Sequence, residues 1–471
     1  MINKIEKIAI APNNTYPIYM AVANQFEDLI KSNLYIYNER LPALRTLAEH
    51  LGVALDTVKK AYSELETRRL VYSRVGSGTY VKWRQTGNSE STLSETAIPP
   101  NSNTIDLSLN EQLLMEERGA ELSNAMARLA NQPARLNLMT TYQAPEHIIQ
   151  PQLDFIARFM SDIGISAKAS EMLLTSGAQH GLHLVLQYLM NSGDIIVTNK
   201  LAYPGVKQAT SLLGRTLIAV DQDADGMDID ALEALLKKQR ISAVYVTPEY
   251  DNPTTAVMTQ ARRERLVELA SEYNFLIIED GALHMPQNGL TSLYSMAPER
   301  TIYLFSFSKI LAGGLRLGAI LATGRHYRKM VVAQQSQYWM VSPFLTSLTC
   351  DLILHGAAER LLDKQLHELE ERFALTHEIL NDYKISGSAP GYHVWLELPE
   401  HINIENLTGN LRNFNVEVAP AKAFYVNDTA SAHAIRISLA GSVNKQDFVK
   451  GLEIIKECME DSEQDADWSI I

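Results

Sequence analysis

Apolar positions near the start of the chain recur at helical spacing. Val22, Phe26, Leu29 and Ile30 form one stripe, Leu44, Leu47, Ala48 and Leu51 a second, and Val58, Ala61, Tyr62 and Leu65 a third. Three short amphipathic helices are predicted. Gly52 separates the second from the third, the spacing of a helix-turn-helix, and Asp56 is the expected N-cap of the third. Over residues 70–81, LVYSRVGSGTYV, the pattern switches to two β-prone runs flanking Gly76-Ser77-Gly78, which reads as a hairpin. Residues 82–104 are rich in Ser, Thr, Asn and Pro and poor in large apolar side chains, so they read as a linker.

Beyond Ile105 short apolar runs alternate with helical segments, at 172–174, 195–197, 217–220, 243–246, 275–278, 302–305 and 318–322. Near-continuous apolar runs suit strands covered on both faces, hence an α/β fold with a largely parallel sheet. Ligand sites in such sheets lie at the carboxyl ends of the strands. The acidic stretch 460–467 is expected to be frayed surface.

Composition narrows the class. At 471 residues the chain exceeds one core, and about 150 residues per domain suggests about three folding units. Hydrophobic content of 46% with 21% charged residues excludes wholesale disorder. Cys350 and Cys458 are too few for a disulfide framework or a zinc site, so no metal is expected and a reducing compartment fits. With no signal-peptide core and no run that spans a bilayer, the expected location is cytoplasmic, without membrane association. The net charge of -13 conceals an asymmetry: within residues 31–84 ten basic residues face five acidic ones, leaving +5 there and -18 elsewhere. A basic N-terminal module on an acidic body has the electrostatics of a DNA reader joined to something else.

Five motifs at strand ends carry chemistry. In TSGAQHGL a strand gives way to a turn and a helix, so the N–H groups of Gly177, Ala178 and Gln179 suit an anion. In SFSKILAGGLRLG, Lys309 at a strand end supplies an amine nucleophile. Schiff-base chemistry requires that amine uncharged part of the time, which burial and a neighbouring cation promote. Ser306 and Arg316 match the oxygens of a phosphate. In IIEDGALH, Asp280 can pair with a protonated pyridine nitrogen. Asn252 in TPEYDNPTT could donate to a ring oxygen, and Tyr203 in LAYPG could stack on a ring face. Singly, such residues are mostly structural; their order is what distinguishes this chain.

The string ERLPALRTLAEHLGVALDTVKKAYSELETRRLVYSRVGSGTYV resembles the GntR-type winged helix along its whole length. That resemblance implies a double-stranded DNA operator as partner, with contacts from Arg45, Thr57, Lys59, Lys60, Arg74 and Gly78. Ala54-Leu55 stands where Ser-Arg is usual, and Arg69 where Gly is. From about Ile105 to the last helix the five motifs look like the fold-type I, class I aminotransferase pattern. This implies pyridoxal 5'-phosphate as cofactor, Lys309 as the internal-aldimine lysine, Asp280 on the pyridine nitrogen, Tyr203 stacked and Asn252 on the ring oxygen. Gly177, Ala178, Gln179, Ser306 and Arg316 would hold the phosphate. Arg436, in AIRISLA, matches the arginine that binds a substrate α-carboxylate.

The expected organisation is a winged helix over 1–81, a flexible linker over 82–104 and an aminotransferase-like domain over 105–471, with a smaller α+β subdomain from about 345. With both domains in this order the chain resembles the MocR subgroup of bacterial GntR regulators. The resemblance implies a transcription regulator that senses the cofactor or its amino-acid adduct, takes a small amine or amino acid as effector, and forms a head-to-tail homodimer. A working class I aminotransferase carrying a winged helix is the alternative. Departures bear on turnover: Thr255 replaces the usual glycine after Asn-Pro-Thr, Leu283 a common tyrosine, with His284 beside it, and Gln150-Pro151 an expected Leu-Arg. Leu283 has no hydroxyl to bond the ring oxygen.

Overall fold

The computed structural model describes residues 4, 8, 17–31, 34–35, 39–68, 70–74, 78–81, 104–140, 146–285, 289–427, 431–441 and 443–468. Residues 82–103 of the expected linker and the Gly76-Ser77 turn lie outside them. The chain forms two compact units, Met1–Glu95 and Thr96–Ile471.

In the first unit three helices, α1 (Ile18–Lys31), α2 (Leu44–Leu51) and α3 (Leu55–Thr67), precede the antiparallel strands β1 (Val71–Arg74) and β2 (Gly78–Val81). The three apolar stripes meet in one core, where Phe26 lies between Tyr35 and Tyr62 at centroid distances of 5.7 and 5.6 Å. Gly52 closes α2 in the left-handed conformation, φ 63°, which a Cβ would disfavour. Asp56 is not the N-cap of α3. That place falls to Ala54, whose extended backbone starts the helix two residues earlier without a side-chain cap. Asp56 sits instead in the first turn, where a carboxylate complements the helix dipole and pairs with Lys60 at 3.6 Å. The fold here is a winged helix-turn-helix.

The second unit starts with β3 (Ile105–Asp106) and is centred on a seven-stranded sheet. In chain order its strands are β4 (Met172–Thr175), β5 (Ile195–Asn199), β6 (Thr216–Val220), β9 (Ala243–Val246), β10 (Leu276–Asp280), β11 (Thr301–Ser306) and β12 (Gly318–Leu321), with the small hairpin β7 (Gln222–Asp223) and β8 (Gly226–Met227) between β6 and β9. Spatially they run β4-β12-β11-β10-β9-β5-β6, with β12 antiparallel to both neighbours and the other pairs parallel. All residues of β9, β11 and β12 are buried, the reason those runs are apolar without alternation. Helices cover both faces.

A four-stranded antiparallel sheet follows, β13 (Lys384–Ser386), β14 (His393–Glu397), β16 (Ala419–Pro420) and β17 (Ala434–Ser438), ordered β13-β14-β17-β16. It has its own apolar core, into which Ile105 and Leu107 insert. That insertion is fixed by β3 pairing in parallel with β15 (Val416–Glu417). The unit therefore has a mixed, mostly parallel large sheet and a smaller α+β portion. The acidic stretch 460–467 is not frayed: it continues the last helix, Lys445–Trp468. Among the described residues no helix is long and apolar enough to cross a membrane.

Phe26→Ala should cost the winged unit about 3–5 kcal/mol, because a buried ring cannot be replaced by local collapse. Calorimetry of the full chain would then show that unit's transition lowered or lost and the larger unit's unchanged.

Candidate functional site

The sheet's connectivity gathers the motifs at one edge. β4, β5, β9, β10 and β11 point the same way, so the segments that follow them share an edge, and antiparallel β12 brings in Arg316 just before its start.

Close approaches there depend on missing side chains. Gly177 caps the helix Ala178–Tyr188 with φ 87°, and a Cβ on it would stand 2.9 Å from an Arg316 guanidinium nitrogen. A Cβ on Gly318 would lie 2.9 Å from the Ala178 nitrogen. Arg316 itself is left-handed, φ 44°, and its Nη1 lies 3.4 Å from Ser308 Oγ. Ser306 is buried at the end of β11, its hydroxyl accepting from Ser308 N at 3.2 Å. Gln179 Nε2 donates to Gly205 O at 3.2 Å, leaving its buried Oε1 without a partner, and Gly205 leaves room for the ring of Tyr203, 2.3 Å from where a Cβ would stand. These atoms form an anion cradle of N–H, hydroxyl and guanidinium donors.

Asp280 ends β10, buried. Tyr245 donates to its Oδ2 at 2.6 Å and Ala282 N to its Oδ1 at 2.9 Å. Burial raises its pKa, while these two donors pull the other way by favouring the carboxylate. Tyr203 feels the same carboxylate: burial, then Asp280, push its phenol up to about 12.

Asn252 is presented by a loop built around buried Asp251, which accepts from Thr247 and Thr254 hydroxyls at 2.6 Å each and from Asn199 at 3.2 Å. Thr255 in this loop has φ 66°, a conformation that crowds a β-branched side chain. Asn252 Oδ1 accepts from Arg436 Nη1 at 2.6 Å. Arg436, on β17, is buried over the ring of Phe424, 4.9 Å from its centroid, and its Nε has no partner. Burial brings its pKa down to about 10.

Lys309 follows β11, partly buried, its Nζ donating to the Asn110 carbonyl. Burial holds its pKa down at about 8; Glu111 opposes this, and Arg436 and Arg316 add to it. A lysine amine with a lowered pKa, a group of N–H, hydroxyl and guanidinium donors, a buried carboxyl group and a buried arginine thus lie along one edge. The buried Arg436 Nε has no partner, and with the donors around Gly177 and Arg316 these residues fit a phosphorylated pyridine aldehyde.

Sequence reasoning missed several members. Tyr245 read as one more apolar-run residue of its strand. Asn110, Ser108 and His393 carry no motif. Behind the site His284 forms a buried pair with Glu249 at 2.5 Å, its other ring nitrogen facing Ile163 O at 2.8 Å.

In the winged unit Arg45, Lys59 and Lys60 are exposed and Thr57 half-exposed, on α2 and α3. The side chain of Arg74 lies outside the described residues. Gly78 opens β2 with φ 120°, and a Cβ there would meet Arg40 Nε at 2.6 Å. Arg40, bridged to Tyr80, thereby joins the base of the wing. Nothing in its spacing marks it beforehand.

Thr255→Gly should relieve the left-handed strain and stabilise the larger unit by about 1 kcal/mol. The check is a raised urea midpoint at unchanged slope; a lowered midpoint contradicts it.

Comparison with known proteins agrees with this geometry. Residues 102–452 match the family "Aminotransferase class I and II", and residues 18–81 match "Bacterial regulatory proteins, gntR family". An uncharacterized HTH-type transcriptional regulator of Bacillus subtilis, YdeF, is 28% identical over 94% of this chain and 95% of its own length. The HTH-type transcriptional regulator TauR of Rhodobacter capsulatus is 26% identical over 89% and 92%. The crystal structure of LysN, an alpha-aminoadipate aminotransferase from Thermus thermophilus complexed with N-(5'-phosphopyridoxyl)-L-leucine, superposes with a TM-score of 0.68. It is 25% identical and covers 77% of this chain and 94% of that one. The larger unit is thus a fold-type I domain whose cofactor is pyridoxal 5'-phosphate. The chain belongs to the class I and II aminotransferase family and carries a gntR-family DNA-binding module before that domain, the arrangement of the MocR subgroup of regulators.

Proposed function

We propose that this protein is a pyridoxal-phosphate-dependent transcription regulator that reads operator DNA through its winged helix and senses the cofactor, or its adduct with an amino acid, through Lys309. The observation that carries the reading is a partly buried lysine, its amine poised near neutrality, sharing a chain with a basic winged helix. The regulators named above, each aligned over most of its length, support it. We place it in the cytoplasm as a head-to-tail homodimer, on the family resemblance.

Bound, the cofactor supplies an electrophilic carbon for primary amines and an electron-withdrawing ring. Lys309 offers an amine that burial makes easier to deprotonate. Asp280, which accepts from Tyr245 and Ala282, would pair with the ring nitrogen; Tyr203 would cover the ring and Asn252 would meet its oxygen. Gly177, Ala178, Gln179, Ser306 and Arg316 would hold the phosphate, and Arg436 would take an effector carboxylate. On the DNA side, Arg45, Thr57, Lys59, Lys60, Arg74 and the wing at Gly78 meet the duplex, Lys59 and Lys60 through phosphates.

A second reading, a working aminotransferase, is favoured by the retention of Lys309, Asp280 and Arg436 and by relatives such as the 2-aminoadipate transaminase of Thermus thermophilus, 28% identical over 72% of this chain. Leu283 speaks for the sensor, since proton handling at the ring oxygen loses a hydroxyl. Continuous keto-acid release over many turnovers would favour the enzyme; at most one half-reaction favours the sensor.

At low salt the purified protein should retard a fragment of its own promoter region, with log affinity falling by about 0.9 per phosphate contact for each tenfold rise in salt. The cofactor's effect on that retardation should vanish in Lys309→Ala. Absence of any shift at low salt counts against the regulator.

The rate of cofactor capture should rise with pH through about 8 and then level off. Below that value the amine is an ammonium and has no lone pair to offer. A midpoint near the ordinary lysine value of about 10.4 contradicts the site's electrostatics.

A further inference from the structure

The loops that follow β9 and β10 carry Asn252 and Asp280, and one buried pair fastens them together. Glu249 stands just before Asn252 in its loop, and His284 just after Asp280 in the other. His284 Nδ1 lies 2.5 Å from Glu249 Oε2, and each of the two side chains is 7% exposed. Both ring nitrogens of His284 face acceptors, since Nε2 is 2.8 Å from the Ile163 carbonyl, just past the helix Glu146–Asp162. An imidazole between two acceptors has to carry both protons unless the carboxyl supplies one. That carboxyl is itself served by donors: Met285 N reaches Oε2 at 3.2 Å and the Tyr303 hydroxyl Oε1 at 3.4 Å, which suits a carboxylate. The second proton therefore sits on Nδ1, and His284 is an imidazolium whose other side meets a helix C-terminus, where a cation is favoured.

Burial by itself would lower the His284 pKa, yet the bond to Glu249, that carboxylate's charge and the Ile163 carbonyl raise it on balance. Around the pair stand Glu279 on β10, which burial pushes up to about 8, Arg263 facing both glutamates from the helix Gln260–Tyr273, and the phenols of Tyr303 and Tyr392. Tyr303 fills the space against the Asp280 turn, so close that a Cβ on Gly281 would overlap its hydroxyl. Within the turn His284 N donates to Gly281 O at 3.1 Å and Ala282 N to Asp280 Oδ1 at 2.9 Å. A displacement of the imidazolium is thus passed to the Asp280 carboxyl through one tight turn.

We infer that His284 is a positioning residue: its ion pair with Glu249 sets the spacing between Asp280, which would meet the ring nitrogen, and Asn252, which would meet the ring oxygen. This rests on the cofactor-site reading above and adds a residue that acts only through its neighbours. With Leu283 bringing no hydroxyl to the ring oxygen, the placement of Asn252 matters more.

The visible absorbance of the cofactor-loaded full chain titrates with the proton shared between the Lys309 nitrogen and the ring oxygen. Asn252 on that oxygen and a protonated ring nitrogen opposite Asp280 both favour loss of this proton, so loosening either raises the midpoint. Glu249→Gln and His284→Gln should each raise it by about one pH unit, the worth of roughly one hydrogen bond. The double variant should raise it by no more than either alone, because the two side chains act as one unit. Its amides leave no charge in the pair, so it tests the inference even where a single variant fails to fold. Arg128→Gln, which breaks a 2.6 Å ion pair to the buried Asp351, should lower the melting temperature and leave the midpoint in place. The inference is overturned by a midpoint unmoved or lowered in the pair variants that bind the cofactor, by shifts that add in the double variant, or by an equal shift in Arg128→Gln. Loss of binding in all three pair variants overturns it too, since the pair then serves the fold and not the ring. An unsubstituted chain that takes up no cofactor overturns the cofactor-site reading along with it.

Discussion

Desolvation of cations along one sheet edge is the constraint around which the larger unit is organised. Arg436 and Arg316 come near enough to depress the Lys309 pKa, and burial makes the charges of Lys309 and Arg436 costly, while Arg316 is exposed. That cost is met in part by neutral oxygens, from Ser108, Asn110 and Asn252, while the carboxylate of Asp280 stands with Tyr203 and Tyr245. Such a site is poised for an anionic ligand because protein acceptors satisfy its donors incompletely, as the unpartnered Nε of Arg436 shows.

Much of the fold was legible because burial on both faces leaves a simple trace. β9, β11 and β12 are apolar at every position that matters, so the runs at 243–246, 302–305 and 318–322 declared themselves. The motifs were legible for a related reason: a strand end followed by Gly, Lys, Asp or Asn breaks an apolar run with residues that a core does not favour. Helix starts were less so. Ala54 rather than Asp56 begins α3, since the backbone turns where the preceding loop lets it and not where the best cap stands.

What stayed hidden were partners joined only by folding. Asn110 and His393 lie 283 residues apart and Ser108 and Arg436 328 apart, with no local pattern linking them. Tyr245 is indistinguishable by pattern from its apolar neighbours, yet its hydroxyl supports Asp280. Thr255 was visible as a departure, and its left-handed backbone explains why glycine is usual there. The strain of Thr255 and Arg316, both at the site edge, fits a region whose geometry is held by its surroundings and not by local preference.

Reduction of the cofactor-loaded full chain with borohydride, followed by peptide mass mapping, tests the central claim most directly. A phosphopyridoxyl group on the peptide containing Lys309 is the predicted result. An unmodified Lys309, with the label elsewhere or nowhere, would contradict it.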